Sequence, residues 1–154
     1  SFSAFARMPA PILEKLDLVA LLTKTVNLYS TYEGGSVDFK SSVQPVYIDG
    51  DPQLLDRIFS NMILNGLQAG GKPPLVFIEV KPAGSFIRVI IQDNGEGIAP
   101  EFQDKIFIPY FTTKKSGSGL GLAIAKQGIE LSGGKIWFDS SPGKTRFYLE
   151  FPVI

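Results

Sequence analysis

One segment near the middle of the chain limits the possible folds more than any other. Asp51-Pro52 combines a capping residue with proline at the first helical position, and the helix that begins there should reach about Ala69 and end at Gly70-Gly71. Between these ends, apolar residues occur on nearly every side of the helix. Because such a helix is stable only when most of its surface is covered, we expect it at the centre of the domain.

The other segments alternate between helices and short strands. Asp17 is placed to cap a helix that Gly34-Gly35 would end. Strands are predicted over residues 37–40, 46–49, 75–81, 86–92, 136–139 and 146–151, and further helical stretches over 101–106 and 120–131. This order predicts an α/β fold, a two-layer sandwich in which a mixed, mainly antiparallel sheet packs against about three helices.

The composition excludes several classes of partner and chemistry. The 154 residues include 15 basic and 15 acidic side chains, so no net charge draws the chain to nucleic acid or to a membrane surface. Cysteine is absent, which fits a reducing compartment such as the cytoplasm. Histidine is absent as well, so imidazole can serve neither as a base or nucleophile nor as a metal ligand.

Two asparagines share one face of the central helix. Asn61 and Asn65 are four residues apart, and Gln68 extends the same face. Buried amides must be satisfied, and bonds to the backbone of an ordinary core would do this. Alternatively, their neutral oxygens are ligands for a hard cation such as Mg²⁺ that also holds phosphate oxygens.

A first glycine-rich segment, Asp93-Asn94-Gly95-Glu96-Gly97-Ile98, follows a predicted strand. Its glycines would let the backbone approach a ligand closely, and the Asp93 carboxylate could accept a hydrogen bond from an exocyclic amine. Asn-Gly and Glu-Gly are also common turn dipeptides, so the segment alone is equally compatible with an ordinary turn.

A second glycine-rich segment, Gly117-Ser118-Gly119-Leu120-Gly121-Leu122, leads into a predicted helix. Glycines in this place leave N–H groups free to bind an anion, which the helix dipole also favours. Lys114 and Lys115 lie just upstream, in a polar stretch suited to a loop that covers phosphates. The alternative is a flexible loop with solvated lysines.

In this order and spacing, the asparagine pair and the two glycine-rich segments resemble the GHKL ATP-binding fold, and more narrowly the catalytic domain of sensor histidine kinases. The similarity extends from about Asp17 to the C-terminus. The matching positions are Asn61 and Asn65 in the N box, Asp93, Gly95 and Gly97 in the first glycine box, Phe107 to Phe111 in the F box, and Gly117, Gly119 and Gly121 in the second glycine box.

The resemblance implies a site for ATP and Mg²⁺. Asp93 would bind the adenine amino group, Asn65 would hold Mg²⁺ with Asn61 beside it, and backbone N–H groups of the second glycine box would surround the phosphates. The implied nucleotide-binding residues are Asn61, Asn65, Asp93, Gly95, Gly97, Ile98, Phe111, Lys114, Lys115, Gly117, Gly119, Leu120, Gly121 and Thr145. At Thr145 the sequence departs from the family pattern, since Lys144 stands before it where many family members carry glycine.

The resemblance also implies which part of a kinase this chain contains. Residues 2–9 are similar to the segment that joins the dimerisation helices to this domain in nitrogen-regulation-type kinases. Residues 1–16 are therefore expected to end a dimerisation helix and its linker, and residues 17–154 to form the ATP-binding domain. The phosphorylated histidine of such kinases lies on the dimerisation helices, so this histidine-free chain should not autophosphorylate alone.

The expected partners are the dimerisation domain of the same kinase and, through it, a response regulator. The chain itself is expected to be a cytoplasmic monomer without nucleic-acid or membrane contacts, either free or as the cytosolic part of a membrane-bound kinase.

The fold that this chain resembles also serves other activities. Related ATPases resemble one another in a glutamate one helical turn before the Mg²⁺-binding asparagine, where it activates water; Asn61 stands there in this chain and cannot take a proton from water. Phosphoryl transfer is therefore favoured over hydrolysis. Two alternatives are a serine-directed kinase of the anti-sigma-factor type, which usually lacks a linker tail like residues 1–11, and a non-catalytic interaction module without nucleotide binding.

Overall fold

The computed structural model of the chain describes residues 10–113 and 119–154. The helices are α1 (Leu18–Asn27), α2 (Pro52–Leu67) and α3 (Gly121–Leu131). The strands are β1 (Glu14–Asp17), β2 (Ser36–Ser41), β3 (Tyr47–Gly50), β4 (Leu75–Ala83), β5 (Phe86–Asp93), β6 (Lys135–Ser141) and β7 (Lys144–Pro152). The helix-end and linker predictions for residues 1–9, and the site predictions for Lys114, Lys115 and Gly117, lie outside the described residues.

The strands form one large and one small sheet. The large sheet has five strands in the order β2-β4-β5-β7-β6, and only the β2–β4 pair is parallel. β1 and β3 form a separate antiparallel pair. With three helices packed beside a mixed, mainly antiparallel sheet, the predicted two-layer α/β sandwich is confirmed.

The hydrophobic core lies between the large sheet and the helices. α2 packs against both other helices and against β4 and β5, as its apolar surface predicts. Phe59 and Ile63 of α2 are fully buried, and the Phe59 ring meets Phe151 of β7 edge-on at 6.4 Å between centroids. α2 is therefore the central helix, and residues near its carboxyl end are carried to the edge of this core.

Three local predictions differ from the structure. α1 ends at Asn27, well before Gly34-Gly35, because the chain then makes successive short turns, among them the bond from Ser30 N–H to the Asn27 carbonyl. β1 was not predicted; its sequence EKLD is mostly charged, and it exists through its pairing with β3. The helical stretch expected over 101–106 is a single 3-10 turn, Pro100–Phe102, without a side-chain cap.

The predicted cap of α2 is confirmed and makes a further contact. The Asp51 side chain accepts hydrogen bonds from the backbone N–H groups of Gln53 (3.1 Å) and Leu54 (3.3 Å), and from that of Ile12 (3.0 Å) in the segment before β1. One carboxylate therefore starts the central helix and fixes the N-terminal segment beside it.

We expect Asp51→Ala to lower the free energy of unfolding by about 1 kcal/mol, the usual cost of losing a helix cap. Urea denaturation followed by the fluorescence of Trp137, the single tryptophan, measures this change. Asp49→Ala, which removes an exposed carboxylate two residues earlier, is the control and should leave stability nearly unchanged. Equal stability of the two variants would contradict the capping role.

In the part of the chain that the structure describes, no helix is both long and apolar enough to cross a membrane.

Candidate functional site

Asp93 lies at the end of β5, where the strand meets the carboxyl-terminal half of α2. Asp93 is buried, with 8% of its surface exposed, and its Oδ1 accepts a hydrogen bond of 2.8 Å from the Gly95 N–H. A Cβ placed on Gly66 of α2 would lie 3.8 Å from Asp93 Oδ2. The carboxylate thus sits against α2, one residue along from Asn65.

Gly66 is a site residue that the sequence analysis missed. A Cβ at this position would approach Val76 Cγ2 to 2.8 Å and Asp93 Cβ to 3.3 Å, so only glycine lets α2 pack this closely on β4 and β5. A glycine inside a predicted helix costs about 1 kcal/mol relative to alanine, which is a signal that something else requires it.

The first glycine-rich segment forms a turn held between α2 and the β6–β7 hairpin. A Cβ on Gly95 would lie 2.3 Å from Ala69 Cβ, and one on Gly97 (φ +86°) would lie 2.7 Å from the Ser141 carbonyl oxygen. The Glu96 N–H donates to the Ala69 carbonyl (2.8 Å). In this structure the two glycines therefore allow close approach to the protein's own backbone.

Two hydroxyl groups connect this turn to the last hairpin. The Ile98 N–H donates to Ser140 Oγ (2.8 Å), and Ser140 Oγ lies 2.7 Å from Thr145 Oγ1. Thr145 is 3% exposed and is the β7 residue paired directly with Asp93 of β5. Despite the lysine before it, Thr145 is thus placed beside the predicted adenine-binding carboxylate.

The start of α3 lies beside Asn61, the first residue of the asparagine pair. α1 and α2 begin with aspartate caps, whereas no side chain among the described residues caps α3. Its first helical bond runs from Ile124 N–H to the Leu120 carbonyl, so the N–H groups of the first turn point out of the helix end. A Cβ on Gly121 would lie 3.8 Å from Asn61 Nδ2. Backbone N–H groups at a helix start, beside the neutral amide of Asn61, suit an anion such as phosphate.

The F-box segment meets Gly119, two residues before α3. Tyr110 has a φ of +69°, and its N–H donates to the carbonyl of Gly119 (2.8 Å), which itself has a φ of +74°. The Phe111 ring packs against Phe102 with 5.6 Å between centroids. The contact between Tyr110 and Gly119 therefore sets where the chain enters α3.

Two surface cavities lie elsewhere. One of about 590 Å³ is lined by α1, the residues that flank it and Gln44, and another of about 700 Å³ by α1, β2 and the β2–β3 connection. Neither is lined by a predicted site residue. The predicted residues instead lie along α2 and its neighbours: Asp93 at the end of β5 is beside Gly66 of α2, and Asn61 of α2 is beside Gly121 at the start of α3.

Comparison with known proteins finds sensor histidine kinases among the relatives of this chain. The sensor histidine kinase ZraS of Escherichia coli (strain K12) is 34% identical over 145 residues, which cover 92% of this chain and 31% of that protein. The sensory histidine kinase/phosphatase NtrB of Salmonella typhimurium is 35% identical over 115 residues, covering 67% of this chain and 33% of that protein. The chain thus spans about a third of the length of these relatives.

A solved structure gives the same result for the fold. The catalytic domain of histidine kinase ThkA superposes with a TM-score of 0.82 at 26% identity, covering 91% of this chain and 95% of that one. Residues 50–154 match the family described as histidine kinase-, DNA gyrase B-, and HSP90-like ATPase. The chain therefore belongs to this family, as the GHKL resemblance implied, and within it has the fold of histidine kinase catalytic domains.

Proposed function

We propose that this chain binds Mg²⁺-ATP and is the catalytic domain of a two-component sensor histidine kinase. The observation that carries the proposal is that α2 has both parts of such a site beside it: the buried Asp93 carboxylate lies next to Gly66, and the start of α3, which no described side chain caps, lies next to Asn61. The carboxylate is an acceptor suited to the adenine amino group, and the helix end is suited to phosphates. Use of ATP is a property of the family to which the chain belongs.

The donor set fits a magnesium ion. Asn61 and Asn65 lie one helical turn apart on α2, and Asn61 is next to Gly121 at the start of α3. Amide oxygens are hard ligands of the kind that Mg²⁺ accepts, and this ion commonly completes its shell with substrate phosphates and water. Among the described residues no cluster of three acidic side chains could hold a metal, so Asn61 and Asn65 are the protein ligands that we propose. Bound there, Mg²⁺ would neutralise phosphate charge.

The arrangement favours transfer over hydrolysis. Asn61 has no basic group with which to take a proton from water. Transfer to a nucleophile supplied by another domain needs positioning and charge stabilisation, which the α3 N-terminus and the α2 amides offer. In this transfer the bond between the γ-phosphorus and the ADP oxygen breaks, and a bond to an imidazole nitrogen forms. Because the chain has no histidine, that imidazole must come from elsewhere.

The proposal extends to partners and location. The relatives ZraS and NtrB are about three times as long as the matched region, so the acceptor histidine is proposed to lie on a dimerisation domain of the same kinase. The phosphoryl group would pass from there to a response regulator. We propose that residues 1–16 connect to that domain and that the chain acts in the cytoplasm.

A transfer assay tests this function. The chain is mixed with a separately purified dimerisation domain of the same kinase and ATP labelled at the γ-phosphate. We expect label on the dimerisation domain, labile in acid and stable in base, as phosphohistidine is. Label that survives acid would indicate a serine-directed kinase, and no label at high concentrations of both proteins would contradict the kinase proposal.

The Asn65→Ala variant distinguishes a role in binding Mg²⁺ from a role in binding the nucleotide. We expect the affinity for ATP in the presence of Mg²⁺ to fall about tenfold or more, because the Mg²⁺ ion loses one of its two proposed protein ligands. Affinity without Mg²⁺ should change little. Displacement of a fluorescent ATP analogue measures both values, with Asn27→Ala at the exposed end of α1 as the matched control. An equal loss with and without Mg²⁺ would contradict the metal role.

A further inference from the structure

Ser140 provides a side-chain link between the first glycine-rich turn and the last β-hairpin. Its hydroxyl accepts the hydrogen bond from the Ile98 N–H at 2.8 Å and lies 2.7 Å from the Thr145 hydroxyl. Ile98 belongs to the predicted nucleotide-binding turn, and Thr145 is the cross-strand partner of Asp93. One side chain on β6 therefore touches both flanks of the proposed adenine position without belonging to any of the predicted motifs.

We propose that Ser140 is a positioning residue for adenine recognition. The inference rests on the proposed function and adds the group that fixes the geometry of the base-binding side. Ser140 holds the Ile98 backbone, while its contact with Thr145 fixes a hydroxyl beside Asp93. The position of the turn relative to the carboxylate then depends on this pair of hydroxyls.

Neighbouring contacts show why a hydroxyl is needed at this place. The hairpin turn approaches the same segment through its backbone, since the Gly143 N–H donates to the Gly95 carbonyl at 2.9 Å. That bond fixes the beginning of the glycine-rich turn. At its end, the Gln103 side chain donates to the Ile98 carbonyl (3.0 Å), but the Ile98 N–H is held by Ser140. Removal of the hydroxyl leaves this N–H without its partner and releases the end of the turn that carries Ile98.

The adjacent serine supplies a matched control. Ser140 and Ser141 are consecutive in β6, so their side chains point to opposite faces of the sheet. Ser141 is exposed, and only its backbone carbonyl lies near Gly97. Ser141→Ala therefore removes a hydroxyl of the same kind one residue away and leaves the contacts of Ser140 with Ile98 and Thr145 in place.

The test compares Ser140→Ala, Ser140→Thr and Ser141→Ala in calorimetric titrations with ATP and with GTP. We expect Ser140→Ala to weaken ATP binding about five- to tenfold, the usual effect of one lost hydrogen bond. The preference for ATP over GTP should fall by a similar factor, because the loss concerns the base. Ser140→Thr keeps the hydroxyl and should restore both values, and Ser141→Ala should match the original chain.

The outcomes separate this inference from the proposed function. If the unaltered chain binds no ATP, the proposed function fails and this inference with it. If the unaltered chain binds ATP and folded Ser140→Ala binds it equally well, only the role of Ser140 is wrong. A lower melting temperature with an unchanged preference for ATP over GTP would also overturn the role, since it would show Ser140 to be structural alone.

Discussion

Replacing Asp93 with asparagine should weaken ATP binding about a hundredfold or more while the domain stays folded. The amide oxygen introduced by Asp93→Asn could still accept the 2.8 Å hydrogen bond that Gly95 N–H now donates to Asp93 Oδ1. The other carboxylate oxygen, on the α2 side, would become an NH₂ group. The NH₂ group of the new asparagine and the amino group of adenine, both hydrogen-bond donors, would then face each other. Equilibrium dialysis with labelled ATP measures the change.

Asp49→Asn is the control for this prediction, because Asp49 is an exposed carboxylate on β3 and belongs to no predicted motif. It should bind ATP as the original chain does. If Asp93→Asn retained affinity within about twofold, less than one hydrogen bond is usually worth, the adenine site would have to lie elsewhere.

Gly95→Ala should produce the largest loss of stability among the glycine substitutions considered. The new Cβ would lie 2.3 Å from Ala69 Cβ and 2.4 Å from the Ala69 carbonyl oxygen, which are far inside contact distance. Because the opposing atoms are the Cβ and the backbone of Ala69, just beyond the end of α2, and not a flexible side chain, the turn or this backbone must move. We expect the free energy of unfolding to fall by about 3 kcal/mol, the upper end of ordinary overpacking effects. Urea denaturation followed by Trp137 fluorescence measures it.

Gly84→Ala distinguishes this steric effect from a general intolerance of alanine. Gly84 lies in the β4–β5 turn with a φ of +64°, and a Cβ there would meet nothing within 4 Å. Only the backbone conformation is then strained, at a cost of about 1 kcal/mol. If both variants lost the same free energy of unfolding, the close packing of Gly95 on Ala69 would not be the reason that glycine is needed at position 95.

Elements defined by local rules could be predicted from the sequence. Asp17 and Asp51 cap their helices as expected, because capping depends on a few neighbouring residues. The two hairpins follow from turn residues between alternating segments. β1 could not be predicted, since its mostly charged sequence has no strand preference and its partner β3 lies about 30 residues away.

In the candidate site, too, local patterns could be predicted from the sequence and long-range contacts could not. Its glycines and Asp93 stand in recognisable local patterns, whereas the contacts among them are made by parts of the chain that are distant in sequence. Ser140 is 42 residues from Ile98, and a lone serine in a strand gives no signal of such a contact. Gly66 did give one, because a glycine within a helix needs a reason, and the reason is the approach of β4 and β5.

Calorimetric titration of ATP into this chain, with and without Mg²⁺, tests the central claim most directly. We expect saturable binding of one ATP per chain that tightens when Mg²⁺ is present. Absence of saturable binding at millimolar ATP would contradict it, and the chain would then have the fold of a histidine kinase catalytic domain without its nucleotide site.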